Sequence, residues 1–396
     1  MQLTPLEMIE DAIQQLGSRL STLGTEDIGV QAAAGRILAA PLVADRDSPA
    51  LDVSAMDGYA IRLADSQRNP LPISTTTTAG SPPSQIEPGK AVRIFTGAPV
   101  PQQAECVVKR EDTVETEEHI EITLLTDELR VGQNIRRRGE NIQAGELILD
   151  AGTLIGPAEI AAVSSFATAM LNVVRRAQVS ILNTGDELVR AGEPVQDWQI
   201  RDSNGPTLQT WLDTLPYTEV VRQARIGDTL DSTIRDLDSA IQSSDAVLLT
   251  GGVSMGDTDY VPDAIRQLGG EIVFHRLPLR PGRPVLGAIV GQTLVLGLPG
   301  NPVSVAVTSR VIALPLLQLL CGLTASPKNP LREITNPDDK TLHLAWYRLV
   351  DETPEGELRL TATRGSGDLV SLARSSGFIE VAPGIAGHGP YPFTRW

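Results

Sequence analysis

Along the first twenty positions, Leu6, Ile9, Ile13, Leu16 and Leu20 recur at helical spacing and fall on one face. Thr4-Pro5-Leu6-Glu7 fits a capping box with proline at the first helical position, so the chain is expected to open on an amphipathic helix. From about 51 to 140 the pattern shortens. Apolar runs at 91–96, 105–109 and 120–125 are broken by Pro and Gly, as in a small β domain. The acidic stretch 111–129 reads as a solvated hairpin edge. Another helix is expected within 141–175, opened by Pro157 and carrying Ile160, Val163 and Phe166.

A regular alternation begins near 177. Strands at 179–183, 219–224, 246–249 and 272–275 interleave with three helices. The first lies near 204–214 with Leu208 and Leu212 on one face; the second carries Leu230, Ile234, Leu237 and Ile241. The third, 261–268, stops at Gly269-Gly270. Strands near 285–290 and 293–298 and a long apolar helix, Pro302–Leu320, complete a pattern that predicts a mainly parallel sheet covered on both faces. Asn329-Pro330 marks a linker, and turns such as Pro354-Glu355-Gly356 make the last seventy residues β-rich. The expected fold class is multidomain α/β plus β. Its parts are a helical and linker domain from 1–50 and 141–175, an inserted β domain at 51–140, an α/β domain at 176–325 and a β-barrel-like domain at 326–396.

Composition narrows the possibilities. A chain of 396 residues is too long for one core. No run of about 18 uninterrupted apolar residues appears, and the N-terminus lacks the basic region and apolar core of a signal peptide. A net charge of −16 argues against nucleic acid or an anionic membrane as the main partner. Cys106 and Cys321 lie in apolar surroundings and read as buried thiols in a reducing compartment. Four scattered histidines make a zinc site an unpromising reading. An acidic chain that binds anions must place its arginines locally.

Ligands of parallel sheets bind at the carboxyl ends of the strands. Three small, polar, glycine-bearing loops follow apolar strands here: 184–187, 250–259 and 298–302. Each alone reads equally well as an ordinary turn; three at corresponding strand ends point to a site. TGGVSMGDTDY at 250–260 supplies glycines that let backbone N–H groups approach an oxoanion, and Asp257 and Asp259 can hold a hard cation such as Mg²⁺ against it. In Arg280-Pro281-Gly282-Arg283-Pro284 two guanidinium groups are spaced to fork onto an oxoanion, or form a solvated basic turn. Asp202-Ser203-Asn204 offers an N-cap whose helix end can also face a ligand. Asp57 and Thr96 sit in glycine turns, and Arg136-Arg137-Arg138 is either a surface run or a positive lip.

Together these segments resemble the molybdopterin molybdenumtransferase family, related to the catalytic half of gephyrin. The matching strings are SAMDGYA at 54–60, IFTGAPVP at 94–101, RRRGENIQAGE at 136–146 and NTGDEL at 183–188. DSN at 202–204, TGGVSMGDTDY at 250–260, RPGRP at 280–284 and GLPGNPVS at 297–304 continue the series. The resemblance implies a cytosolic homodimer of four domains that takes adenylylated molybdopterin and molybdate. With Mg²⁺, the adenylate would be cleaved, AMP released and molybdenum inserted. It also implies a molybdopterin adenylyltransferase and recipient molybdoenzymes as partners.

Carried over by position, Thr184, Gly185, Asp186 and Glu187 would hold the substrate with Ser203, Asn204, Gly251, Gly252, Val253, Ser254, Pro299, Gly300, Asn301 and Pro302. Asp228 and Asp259 would bind the metal, and Arg280, Arg283 and Pro284 the molybdate and phosphate. Asp57, Thr96 and Asn141 would reach the site across the dimer, while Arg348 and Ser371 match terminal-domain positions near molybdate. The catalytic assignment is Asp57, Glu187, Asp259, Arg280 and Arg283, with Glu187 or Asp57 orienting the attacking group. Arg280 and Arg283 stand where family members commonly carry lysine, and Asn141 where an aspartate is common. Those departures keep two other readings open: a paralogue that only carries molybdopterin, and a user of tungstate. A molybdopterin adenylyltransferase would share the sheet domain alone.

Overall fold

The computed structural model describes residues 9–166, 170–254, 259–325 and 328–396. It forms two compact units, one of Met1–Ala40, Ala151–Ile160 and Met170–Trp396, the other of Pro41–Asp150 and Ala161–Ala169.

At the centre of the larger unit is a six-stranded sheet in the order Thr218–Ile226, Ala177–Thr184, Ala246–Thr250, Thr293–Leu298, Leu286–Val290, Glu271–His275. The first four strands run parallel, Leu286–Val290 runs antiparallel to them, and Glu271–His275 pairs antiparallel to that strand and so returns to their direction. The reversal has a local cause. Only Gly291-Gln292 separates Leu286–Val290 from Thr293–Leu298, too short for a crossover, and Gly291 supplies φ +62° for the tight turn. Alternate strand residues feed opposite cores. Ile181 and Leu248 join one cluster with Leu208, Trp211 and Leu316. Leu182, Val247 and Leu249 join another with Leu237, Ala264 and Ile265. Burial on both faces explains why Ala246–Thr250 is apolar without alternation.

The helices stand where their spacing predicts: Ile9–Gly17, Pro157–Phe166, Asn204–Asp213, Leu230–Ser243 and Val261–Gln267. Ile9, Ala12 and Leu16 bury the face of the first, whose expected cap at 4–7 lies outside the described residues. The Pro302–Leu320 run is long and apolar enough to cross a membrane by length and composition, yet 67% of it is buried inside the unit. It is not one regular helix: Pro302–Thr308 and Leu314–Leu320 are α-helical around a π turn, Ser309–Ala313. Pro315 has no N–H to give the carbonyl four residues earlier, and the widened turn absorbs that loss.

The terminal residues build a separate open sheet from Ala345–Glu352, Gly377–Val381 and Tyr391–Arg395, with Leu279–Arg280 and Leu331–Arg332 at its two edges. Ile334, Val350, Leu358, Ile379 and Phe393 form its core. The smaller unit carries a six-stranded sheet whose outermost strand, Thr113–Glu115, pairs with His119–Ile122; this is the acidic hairpin at a sheet edge. Residues 41–50 and 141–150, placed outside the β domain by composition, fold with it.

Candidate active site

The parallel strands deliver their carboxyl ends to one edge of the sheet, and the loops that follow line a single cleft of about 730 Å³. From the first loop come Thr184, Gly185 and Glu187; from the glycine loop, Gly251, Gly252 and Asp259. Gly300, Asn301 and Pro302 come from the third, with Ser203, Asn204 and Asp228 from the helix start and the neighbouring strand end. Residues 255–258, including Asp257, lie outside the described residues.

A chain of buried and partly buried hydrogen bonds holds these loops in register. Thr250 Oγ1 donates to Asn183 Oδ1 at 2.7 Å, and Asn183 Nδ2 donates to Asp202 Oδ2 at 2.8 Å. The other oxygen of Asp202 accepts the Gly205 N–H at 3.0 Å, so the helix Asn204–Asp213 is capped by Asp202, while Ser203 makes no side-chain cap. Asn204 Nδ2 donates to the Gly300 carbonyl at 2.7 Å, tying the helix start to the third loop. Its Oδ1 is buried and has no hydrogen-bond partner among the described residues, although Asn204 is only 8% exposed. An unpaired acceptor in a cleft wall calls for a donor from a ligand or water.

Backbone shape matters most in the glycine loop. Gly251 and Gly252 have φ +83° and +65°, and a Cβ on Gly251 would stand 2.5 Å from Thr184 Oγ1. Behind them, His275 Nε2 lies 2.6 Å from the Val253 carbonyl. A carbonyl can only accept, so Nε2 carries the proton and anchors the loop to the end of its strand.

The charges are unexpected for an anion site. Glu187, Asp228 and Asp259 line the cleft against one guanidinium, Arg201, among the described lining residues. Asp186 stands beside this set: its N–H donates to Asp228 Oδ2 at 3.0 Å, and the Asp228 N–H donates to Asp186 Oδ1 at 3.4 Å. Three or more His, Cys, Asp or Glu side chains never gather in a metal-ready group among the described residues. One or two carboxylates with substrate phosphates suit Mg²⁺, which keeps several of its waters. Asp228 and Asp259 supply two carboxylates to the cleft lining.

Several expected site residues do not line this cleft. Val253 and Pro299 are buried in its supporting loops, and Ser254 is exposed beside them. Arg280, Arg283 and Pro284 are absent from the wall. Arg280 lies in the edge strand of the terminal sheet with its guanidinium 6.0 Å from the Trp346 ring, and the Arg283 carbonyl accepts the Leu277 N–H. Arg348 is held by Asp338 through two 2.7 Å hydrogen bonds and covers the same ring at 4.1 Å. The Ser371 hydroxyl meets Asp368 at 2.6 Å in a helix cap.

In the smaller unit, Asp57 accepts the Thr96 N–H at 2.8 Å and hydroxyl at 2.7 Å, which holds its carboxyl below the usual range. Asn141 bonds Arg136 and Ser48. The three consecutive arginines are each paired, with Glu140, Asp52 and Asp47, so the run is internally neutralised.

Sequence reasoning missed Asn183 and Arg201, although both lie within or next to the strings NTGDEL and DSN. It also missed Leu188, Val195, Gln199, Ile200, Gly367 and Leu369, which complete the wall. Leu188 closes the string NTGDEL, and no pattern marked the others.

Known proteins are similar to this chain in sequence and fold. Residues 7–167 match the family described as the MoeA N-terminal region (domain I and II), and residues 180–319 match the probable molybdopterin binding domain. The molybdopterin molybdenumtransferase of Haemophilus influenzae is 34% identical over 309 residues, covering 77% of this chain and 75% of that protein. That of a Nostoc species is 32% identical over 394 residues, covering 94% and 89%. Among solved structures, a molybdopterin biosynthesis MoeA protein from Pyrococcus horikoshii OT3 superposes with a TM-score of 0.84 over the full length of both chains at 24% identity. That likeness establishes the fold, and the sequence relatives carry the classification: the chain belongs to the molybdopterin molybdenumtransferase family, enzymes of molybdenum cofactor biosynthesis.

Proposed function

We propose that this enzyme inserts molybdenum from molybdate into adenylylated molybdopterin and releases AMP in a Mg²⁺-dependent reaction. The observation that carries the reading is the convergence of three strand-end loops and a helix start on one cleft whose lining holds three carboxylates and one guanidinium. Glycine N–H groups and the Asn204–Asp213 helix end can receive phosphate oxygens. Side-chain charge alone would repel an anionic substrate, so this lining favours a bridging cation.

Asp228 and Asp259 would hold that cation, which when bound offsets the charge of the phosphate and polarises it. Glu187, an exposed residue of the cleft lining, would orient the attacking oxygen. No nucleophilic side chain is required, because water or a molybdate oxygen can attack the activated phosphate. A homodimer in a reducing cytoplasm belongs to the same reading, and the buried free thiols Cys106 and Cys321 accord with it.

The test is incubation of the purified protein with adenylylated molybdopterin, Mg²⁺ and molybdate, with AMP and mature cofactor quantified. Molybdate-dependent AMP release is expected. Tungstate in place of molybdate tests the metal preference. One observation favours a second reading, a carrier without turnover: Arg280 and Arg283 stand outside the cleft wall. Tight binding without AMP release would establish it.

A further inference from the structure

One wall of the cleft is made by a segment that lies mostly between the matched strings NTGDEL and DSN. The short strands Leu188–Val189 and Ile200–Arg201 pair in parallel and frame a loop at 190–199. The loop is built, not slack. Arg201 Nε and Nη2 both donate to the Glu193 carbonyl at 3.1 and 3.0 Å, the Gln199 N–H donates to the Gln196 carbonyl at 2.9 Å, and the Ile200 N–H donates to the Glu187 carbonyl at 2.9 Å. This ordered segment leaves apolar side chains in water: Val195 is 37% exposed, Trp198 68% and Ile200 56%. Val195 and Ile200 line the cleft, and so does Leu369, 45% exposed, from the terminal domain. The Val303 N–H donates to the Ser366 carbonyl at 3.0 Å, which fixes that terminal segment beside the third loop.

The cleft therefore has two chemistries. Its floor is glycine, hydroxyl and carboxylate; its upper wall is aliphatic, with a tryptophan one position from the lining residue Gln199. The buried, unpaired Oδ1 of Asn204 adds an acceptor to the lining. A flat ring with apolar faces and an amine or ring N–H at its edge matches that combination.

We infer that Val195, Ile200 and Leu369 form the specificity wall for a planar amino-substituted heteroaromatic ring of the substrate, with Asn204 Oδ1 accepting from the ring edge. The inference rests on the reading of the cleft as the substrate site. Adenine and pterin share this chemistry, and the experiment separates them.

Binding to the full-length protein is measured by calorimetry in Mg²⁺ for AMP, ribose 5-phosphate and neopterin. Three proteins are compared: the wild type, the double variant Ile200→Ser/Leu369→Ser, and Asn301→Ala. Ring packing of this kind makes AMP bind the wild type about tenfold more tightly than ribose 5-phosphate if the ring is adenine. The double variant then loses that preference while ribose 5-phosphate binds unchanged. Loss of neopterin affinity instead assigns the wall to the pterin. Both substituted side chains are substantially exposed, so the melting temperature stays put. If the double variant binds AMP and neopterin like the wild type while Asn301→Ala weakens AMP, the wall is overturned and the cleft stands. If the wild type binds none of the three compounds, the reading of the cleft fails with it.

Discussion

Single side chains carry the chemistry. Asp259 is one of three carboxylates in a lining with one guanidinium, and it belongs to the loop whose glycines adopt positive φ. Replacing it with Asn keeps its size and removes its charge. Molybdate-triggered AMP release should be lost in Asp259→Asn, while circular dichroism stays that of the wild type; unchanged turnover would take Asp259 out of the site. Asp368 gives a pH test. The Ser371 hydroxyl, and then the N–H groups of Arg364 and Ser371, hold its carboxyl down to about 2 from the ordinary 3.8. A depressed folded value means the cap is fully formed above about pH 4 and is lost as pH falls through 2. Carboxyl NMR should place the Asp368 midpoint near 2, and a midpoint at 3.8 would show that the cap does not form in solution.

At the scale of elements, loops at the strand ends depend on backbone conformations and on hydrogen bonds across the sheet. Gly251 joins a left-handed φ to a position where an added Cβ would stand 2.5 Å from Thr184 Oγ1. Gly251→Ala should therefore cost about 1–3 kcal/mol and displace the loop. Denaturant melts and AMP titration read both effects, and wild-type AMP affinity would show that loop shape is not needed. Much of this level was legible. Alternating helix and strand periods, the cap residues before 204 and the Gly269-Gly270 stop all correspond to elements found. The reversal of Leu286–Val290 was not extracted, although a two-residue connection between strands admits no other direction. Nor was the π turn, because periodicity across 302–320 looks the same with or without one inserted residue.

For the whole molecule, the decisive quantity is charge. A chain of net charge −16 builds a strand-end cleft whose described lining has more carboxylates than guanidiniums. AMP affinity should fall about tenfold or more when Mg²⁺ is removed with a chelator, since each unscreened carboxylate near the phosphate costs on the order of 1–4 kcal/mol. Affinity that ignores the chelator would dismiss the cation role of Asp228 and Asp259. Size-exclusion chromatography with light scattering should return twice the 42.3 kDa chain mass, and a monomer would count against a shared assembly.

By itself the sequence determined the kind of fold and the glycine-bearing loops at the strand ends that line the cleft. Those follow from local periodicity and from glycine, proline and cap residues, whose conformational limits act over a few neighbours. Which side chains share the cleft was decided only by the tertiary structure. Arg280 and Arg283 look like an oxoanion fork in one dimension, yet they belong to the terminal sheet's edge and its turn. Val195, Ile200 and Leu369 carry no local signature, because walling a cleft requires only position, and position comes from contacts between segments far apart in the chain.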